Sequence, residues 1–188
     1  PKRIFPPPAS NPVDLEIRVP PGYQIQFIGE DANLAVRNYS GKLDVSSTAG
    51  DVLLDGFTGS ASIKANRGDV TLRASQGELY ALGNYGLLAL EEVHGQVSAS
   101  TIMGTIRYRG TGLPGDALHF ESDHGPIEIT LAGQPDLSVK VNSTSGDVVC
   151  MFSALVRDPR TCSGILGNGS AQLDVRTVSG AITFQQVP

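Results

Sequence analysis

Gly41-Lys42-Leu43-Asp44-Val45-Ser46-Ser47-Thr48-Ala49-Gly50-Asp51-Val52-Leu53-Leu54-Asp55-Gly56-Phe57-Thr58-Gly59 is the stretch from which the fold can be read. Its glycines at 41, 50 and 59 continue at Gly68, Gly77, Gly86, Gly95 and Gly104, nine residues apart each time. The second residue after each glycine is Leu43, Val52, Ala61, Val70, Leu79, Leu88, Val97 or Ile106, and the fourth is Val45, Leu54, Ile63, Leu72, Ala81, Leu90, Ala99 or Tyr108. Both positions are apolar throughout, while Asp44, Ser62, Lys64, Thr71, Arg73, Ser98 and Arg107 stand between and beside them. That alternation is the period of a short strand with one buried face. Each unit is a strand and a turn, with glycine accepting the positive φ the turn demands. A unit this short cannot bury its own apolar face and must stack on copies of itself, which makes a solenoid.

The inward pair outlasts the glycines. Backward, Ile25 and Phe27, then Leu34 and Val36, keep the phase; forward, Leu118/Phe120 with Ile127/Ile129, Val139/Val141 with Val148/Cys150, and Leu173/Val175 with Ile182/Phe184 keep it in twos. Departures fall at Thr111 to Asp116, Leu131 to Asp136 and Phe152 to Gly169. The pairs number 16. A coil of two strands and about 18 residues then gives about eight coils and a stack roughly 40 Å long at ~4.8 Å per coil. A three-sided coil, with three of these units to each turn of the stack, is the alternative. The shared Gly-Asp-Val wording at Gly50 and Gly68, two units apart, favours two sides. The expected fold is therefore all-β: a single-domain, two-sheeted parallel β-solenoid over residues 13–188. Residues 1–12, with Pro6, Pro7, Pro8 and Pro12, read as a proline-rich linker. Val13 to Val19 alternates like a strand and is expected to cover the first coil.

Stepping by two units gives Arg37, Asp55, Arg73, Glu91 and Arg109, alternating in sign. In stacked parallel strands these five would form one column on one sheet, each charge between two of opposite sign. Exposed pairs contribute only a few tenths of a kcal/mol each; their value lies in register.

The 19 acids and 14 bases, formal charge −5, are interspersed rather than blocked. A nucleic-acid partner would call for a basic stripe, and an anionic membrane surface for a basic amphipathic face, so neither is expected. No apolar run approaches the ~20 residues of a membrane-spanning helix. No membrane insertion by this segment is expected, and any anchor belongs to flanking segments, for which Pro1 in place of methionine leaves room upstream. Cys150 sits at an inward position and reads most simply as a small buried hydrophobe, with pairing to Cys162 the alternative.

The wording Ala49-Gly50-Asp51-Val52, Ser145-Gly146-Asp147-Val148 and Val175-Arg176-Thr177-Val178-Ser179-Gly180-Ala181-Ile182 resembles the bacterial adhesin-type β-solenoid family known as toast-rack domains, over roughly Val13 to Val187. The resemblance implies parallel stacking between coils and a domain often joined to membrane-spanning or regulatory segments, hence a bacterial extracytoplasmic or membrane-anchored setting. It carries no catalytic or ligand residues to transfer.

No site motif competes with the scaffold. Arg67-Gly68-Asp69 sits at a standard repeat turn. His94, His119 and His124 lack metal-ligand spacing, and no phosphate loop, nucleophile elbow or dinucleotide fingerprint is present. Acids that alternate with bases already have partners, which argues against tuned catalytic carboxylates. The expectation is thus a domain that is not an enzyme, without metal or cofactor: an adhesin-like interaction scaffold binding a protein partner or itself through the solenoid ends, with Ile182 and Phe184 at an uncovered C-terminal end. The alternative is a module for glycan or cell-wall polymer, followed by a polysaccharide-processing enzyme with carboxylates arrayed on one sheet. Tyr39, Tyr80, Tyr85 and Tyr108 are the available rings, and Tyr80 and Leu82 project outward by periodicity, as does Leu53 on the opposing sheet.

Overall fold

The computed structural model describes residues 15–187. The linker expected over residues 1–12 and the first two residues of the expected Val13–Val19 strand lie outside them. The chain forms β1 (Gln24–Asp31), β2 (Leu34–Arg37), β3 (Ser40–Ala49), β4 (Val52–Asp55), β5 (Thr58–Ala65), β6 (Val70–Arg73), β7 (Gln76–Gly83), β8 (Leu87–Glu91) and β9 (His94–Thr101). It continues with β10 (Thr105–Gly110), β11 (Ala117–Ser122), β12 (Ile127–Ala132), β13 (Leu137–Ser143), β14 (Val148–Cys150), β15 (Val156–Asp158), β16 (Thr161–Leu166), β17 (Ala171–Thr177) and β18 (Ile182–Val187).

These strands make two sheets, one of ten strands (β1, β3, β5, β7, β9, β11, β17, β13, β16, β15) and one of eight (β14, β18, β12, β10, β8, β6, β4, β2). Successive coils pair in parallel at a step of two units, as in Ile25 with Leu43 and Val52 with Val70. The protein is a two-sheeted parallel β-solenoid with that periodicity. The inward pairs fill the space between the sheets: Leu43, Leu54, Ile63, Ile106, Phe120 and Ile129 are fully buried. Each such side chain stabilises the fold by about 1.5–3 kcal/mol relative to exposure. The first coil is less covered, and its Ile25, Phe27, Leu34 and Val36 remain half-buried.

The glycines mark more than positive φ. At the turns, Gly68, Gly86 and Gly104 each lie so close over the glycine of the preceding coil that a Cβ would fall on its carbonyl oxygen. The ladder then runs Gly104, Gly125, Gly180, Gly146. A Ser or Thr three residues earlier closes several of these turns: Thr101 Oγ1 accepts from Gly104 N at 2.9 Å, Ser143 Oγ from Gly146 N at 2.8 Å and Thr177 Oγ1 from Gly180 N at 2.9 Å. Asn33, Asp51 and Asp69 form a second ladder at the coil-to-coil step, each carboxyl or amide oxygen accepting a backbone N–H of the next coil at 2.8–2.9 Å.

Three expectations are corrected. Residues 15–19 form no strand, and Leu15 and Ile17 are exposed; without a hydrogen-bonded partner, alternation of apolar and polar residues alone does not make a strand. Cys150 and Cys162 are joined. The bridge ties β14 of one sheet to β16 of the other, and closing so short a loop is worth about 3 kcal/mol. The coils do not stack in chain order. The C-terminal coil, β17 and β18, is inserted between the coil of β11 and β12 and that of β13 and β14. Ile182 and Phe184 are consequently fully buried, Phe184 with its ring 4.5 Å from that of Phe152, rather than forming an open interaction surface. The Phe152 to Gly169 excursion closes the stack instead. Its β16 pairs antiparallel with the free edge of β13, and β15, three residues long, pairs with β16. A short, exposed edge of this kind discourages further pairing.

Candidate functional site: the outer face of the ten-stranded sheet

Two columns of outward side chains run across the ten-stranded sheet. One passes through Ser60, Glu78, Gln96, Ala117, Gln172 and Ser138; the other through Ser62, Tyr80, Ser98, His119, Asp174 and Lys140. Together they line an open groove of about 710 Å³ that crosses β5, β7, β9, β11, β17 and β13. At ~4.8 Å per strand the groove is roughly 24 Å long. Tyr80 is 41% exposed. Its column neighbours are Ser62 and Ser98, whose small side chains leave the ring uncovered on either side. Leu82, two residues further along β7, is half-buried between Lys64 and Ser100 in the next column and does not line the groove.

The groove offers amides, hydroxyls and charges of both signs. Asp174 is engaged by Arg176, whose guanidinium donates at 2.7 and 3.1 Å. The groove's other carboxylate, Glu78, lies three strand intervals away, about 14 Å by strand spacing, beyond the ~5–9.5 Å over which paired carboxylates hydrolyse a glycosidic bond.

On the other sheet Arg37, Asp55, Arg73, Glu91 and Arg109 are successive register partners. Within this column, among the described residues, only Arg73 and Glu91 form an ion pair, at 2.8 Å and about half exposed. A neighbouring pair, Arg107 with Glu128 at 2.8 Å, escapes the regular step because the Thr111 to Asp116 departure makes this interval 21 residues. Beside the column's first strands a smaller groove of about 450 Å³ includes half-buried Leu53.

The remaining candidates are tied into the scaffold. Asp69 of Arg67-Gly68-Asp69 accepts from Leu87 N at 2.8 Å. His94 Nδ1 lies 3.0 Å from Asp116, which also accepts from the amides of Gly95 and Leu113 at 2.7 Å each and so pins the Thr111 to Asp116 departure to the stack. His124 Nδ1 is 2.8 Å from Ser179 Oγ. Among the described residues no group of three or more His, Cys, Asp or Glu side chains could hold a metal ion. No helix there is long and apolar enough to cross a membrane.

Tyr39 and Tyr108 are core rings rather than contact rings. The Tyr108 hydroxyl is buried without a well-formed hydrogen bond, and burial, reinforced by the charges of Asp116 and Glu92 and opposed only weakly by the Gly112 amide, raises its pKa well above the ordinary phenol range. The unfolded chain ionises near pH 10 while the folded one resists, so this group's contribution is intact below that pH and is lost as pH rises. Tyr108→Phe should remove that alkaline dependence and, by relieving an unpaired polar atom, leave stability at pH 7 unchanged or raise it by about 1 kcal/mol. Urea titrations at pH 7 and pH 11 check this; a loss above about 2 kcal/mol at pH 7 would mean the hydroxyl has a partner.

Sequence comparison matches residues 10–185 to the family described as Toastrack DUF4097. No curated protein and no solved structure matches the chain.

Proposed function

The chain belongs to the Toastrack DUF4097 family, and from that premise we propose that it is a non-catalytic, adhesin-like binding scaffold that holds an extended glycan or cell-wall polymer across its ten-stranded sheet. The observation that carries this reading is the groove around Tyr80: an accessible ring, flanked by small hydroxyl side chains, within a long open channel of amides and hydroxyls. A sugar ring stacks on an aromatic face through its C–H surface while its hydroxyls take donors and acceptors from the rim. The channel runs along the stack axis, which suits a chain rather than a compact ligand. The Cys150–Cys162 bridge supports an oxidising, extracytoplasmic setting.

Tyr80→Ala is expected to weaken polysaccharide binding about tenfold, as removal of one stacking contact worth ~1.4 kcal/mol would, with the thermal unfolding midpoint unchanged. Calorimetric titration with a panel of soluble plant and bacterial polysaccharides, preceded by a glycan array, measures it. A flat array, or equal affinity of the variant, would overturn the reading.

A further inference from the structure

The two ends of the stack are unlike, and the open one is the first coil, away from the groove. We propose that two copies of this chain join through their N-terminal coils, β1 pairing antiparallel with β1 of the second copy and β2 with its β2, about a two-fold axis through Gln26 and Ala35.

At the far end the outer strands, β14 and β15, have three residues each. β1 has eight, with neither Lys nor Pro, and its first five residues are uncharged. Among the described residues nothing pairs with the outer edges of β1 and β2. Inward Ile25, Phe27, Leu34 and Val36 stay half-buried, and outward Ile28 is 75% exposed. Such an edge is a template for another strand. The residues just before β1 do not fill it in register. One coil step back from Leu34 and Val36 stand Glu16 and Arg18, so a further coil would turn two charges into the core. Leu15 and Ile17 are exposed instead.

A second copy fits both sheets at once. Successive residues of a strand turn their N–H and C=O groups to opposite edges. The Tyr23 carbonyl accepts from Lys42 N of the next coil, so Gln24, Gln26 and Ile28 face the free edge. Leu34 N and Asn38 N donate to the Asp51 and Asp55 carbonyls of the next coil, so Ala35 and Arg37 face the free edge of the other sheet. Setting Gln26 on Gln26 of the second copy places Gln24 on its Ile28 and Ile25 on its Phe27. The free backbone groups then meet in phase, and the inward pair continues the core. Ala35 lies nine residues, half a coil, from Gln26. The same axis therefore sets Ala35 on Ala35 and Leu34 on Val36. This self-complementarity is what a two-fold interface requires, and it selects a second copy as the occupant. Charge agrees: Arg37, which has no ion pair among the described residues, falls opposite Asn33 of the second copy, two residues from its Asp31.

The test uses the full chain with its native disulfide intact, followed by light scattering and sedimentation equilibrium over a range of concentrations. A dimer is expected at high concentration and is expected to be lost in Gln26→Pro. Proline there removes an amide aimed at the free edge and spares the bonds of β1 to β3, so the unfolding midpoint of the dilute protein should not change. Arg37→Glu, a surface change that sets acid against acid, should weaken the dimer several-fold. Gln26→Cys and Ala35→Cys should each form a disulfide between copies on mild oxidation, and in a mixture of the two each should join only its own kind. A monomer at every concentration, a dimer untouched by Gln26→Pro and Arg37→Glu, or bridges between positions 26 and 35 would overturn the proposal. So would slow hydrogen exchange of the Gln26 and Ile28 amides in a monomer, which would assign the edge to the chain's own preceding residues.

Discussion

Gly77→Ala is expected to cost at least about 4 kcal/mol, a large share of the ~5–15 kcal/mol by which domains are ordinarily stable. Gly77 adopts φ of +128°, and a Cβ there would fall on the Gly59 carbonyl oxygen of the preceding coil. Neither atom can yield cheaply. Both belong to backbone, the two strands are paired in register along their whole length, and Gly95 stands over Gly77 on the other side in the same way. Moving one coil to relieve the clash would break ladder hydrogen bonds on both of its faces. Gly133→Ala is the control: its φ of +66° is also left-handed, but its Cβ would enter open space, so only the conformational cost of about 1–2 kcal/mol applies. Urea unfolding followed by far-ultraviolet circular dichroism measures both. Equal losses would show that positive φ, and not the close approach of stacked backbones, is what these turns require.

Phe184→Ala is expected to cost about 3–5 kcal/mol, the range for truncating a fully enclosed aromatic side chain. The prediction separates two orders of stacking. With the coils in chain order, Phe184 would lie on the outermost coil, and truncation would cost far less. In the observed order β18 has β12 on one side and β14 on the other, and the Phe184 ring packs against Phe152. Hydrogen exchange in the variant should accelerate in both Ile127–Ala132 and Val148–Cys150, the two neighbours of the damaged strand. A loss below about 1 kcal/mol, with protection of Ile127–Ala132 unchanged, would mean the C-terminal coil is not an inner one.

The candidate site was half legible. Ser62, Tyr80 and Ser98 follow from one another by the regular coil step, so the centre of the groove is readable once the coil length is known. His119, Asp174 and Lys140 are not. Ser98 pairs with His119, His119 with Asp174 and Asp174 back to Lys140, intervals that all differ from the regular step because they depend on the departures and on the inserted coil. The closing turns offered a signal that the glycine spacing overshadowed. Thr101-x-x-Gly104, Ser122-x-x-Gly125, Ser143-x-x-Gly146 and Thr177-x-x-Gly180 share a buried hydroxyl three residues before glycine, and that pattern persists where the nine-residue count fails.

Local pattern sets the coil: two short strands, an inward pair on each, a glycine at the turn, and a repeat that doubles the glycine spacing. These follow from side-chain periodicity and backbone sterics, which act within a few residues of one another. Long-range packing sets the order of the coils, the Cys150–Cys162 bridge and the face that Tyr80 shares with His119 and Asp174. A repeat makes every coil a tolerable neighbour for every other, so local pattern leaves their order undetermined. In the observed order the antiparallel hairpin of β15 and β16 occupies the outer edge of β13 and the last coil lies inside.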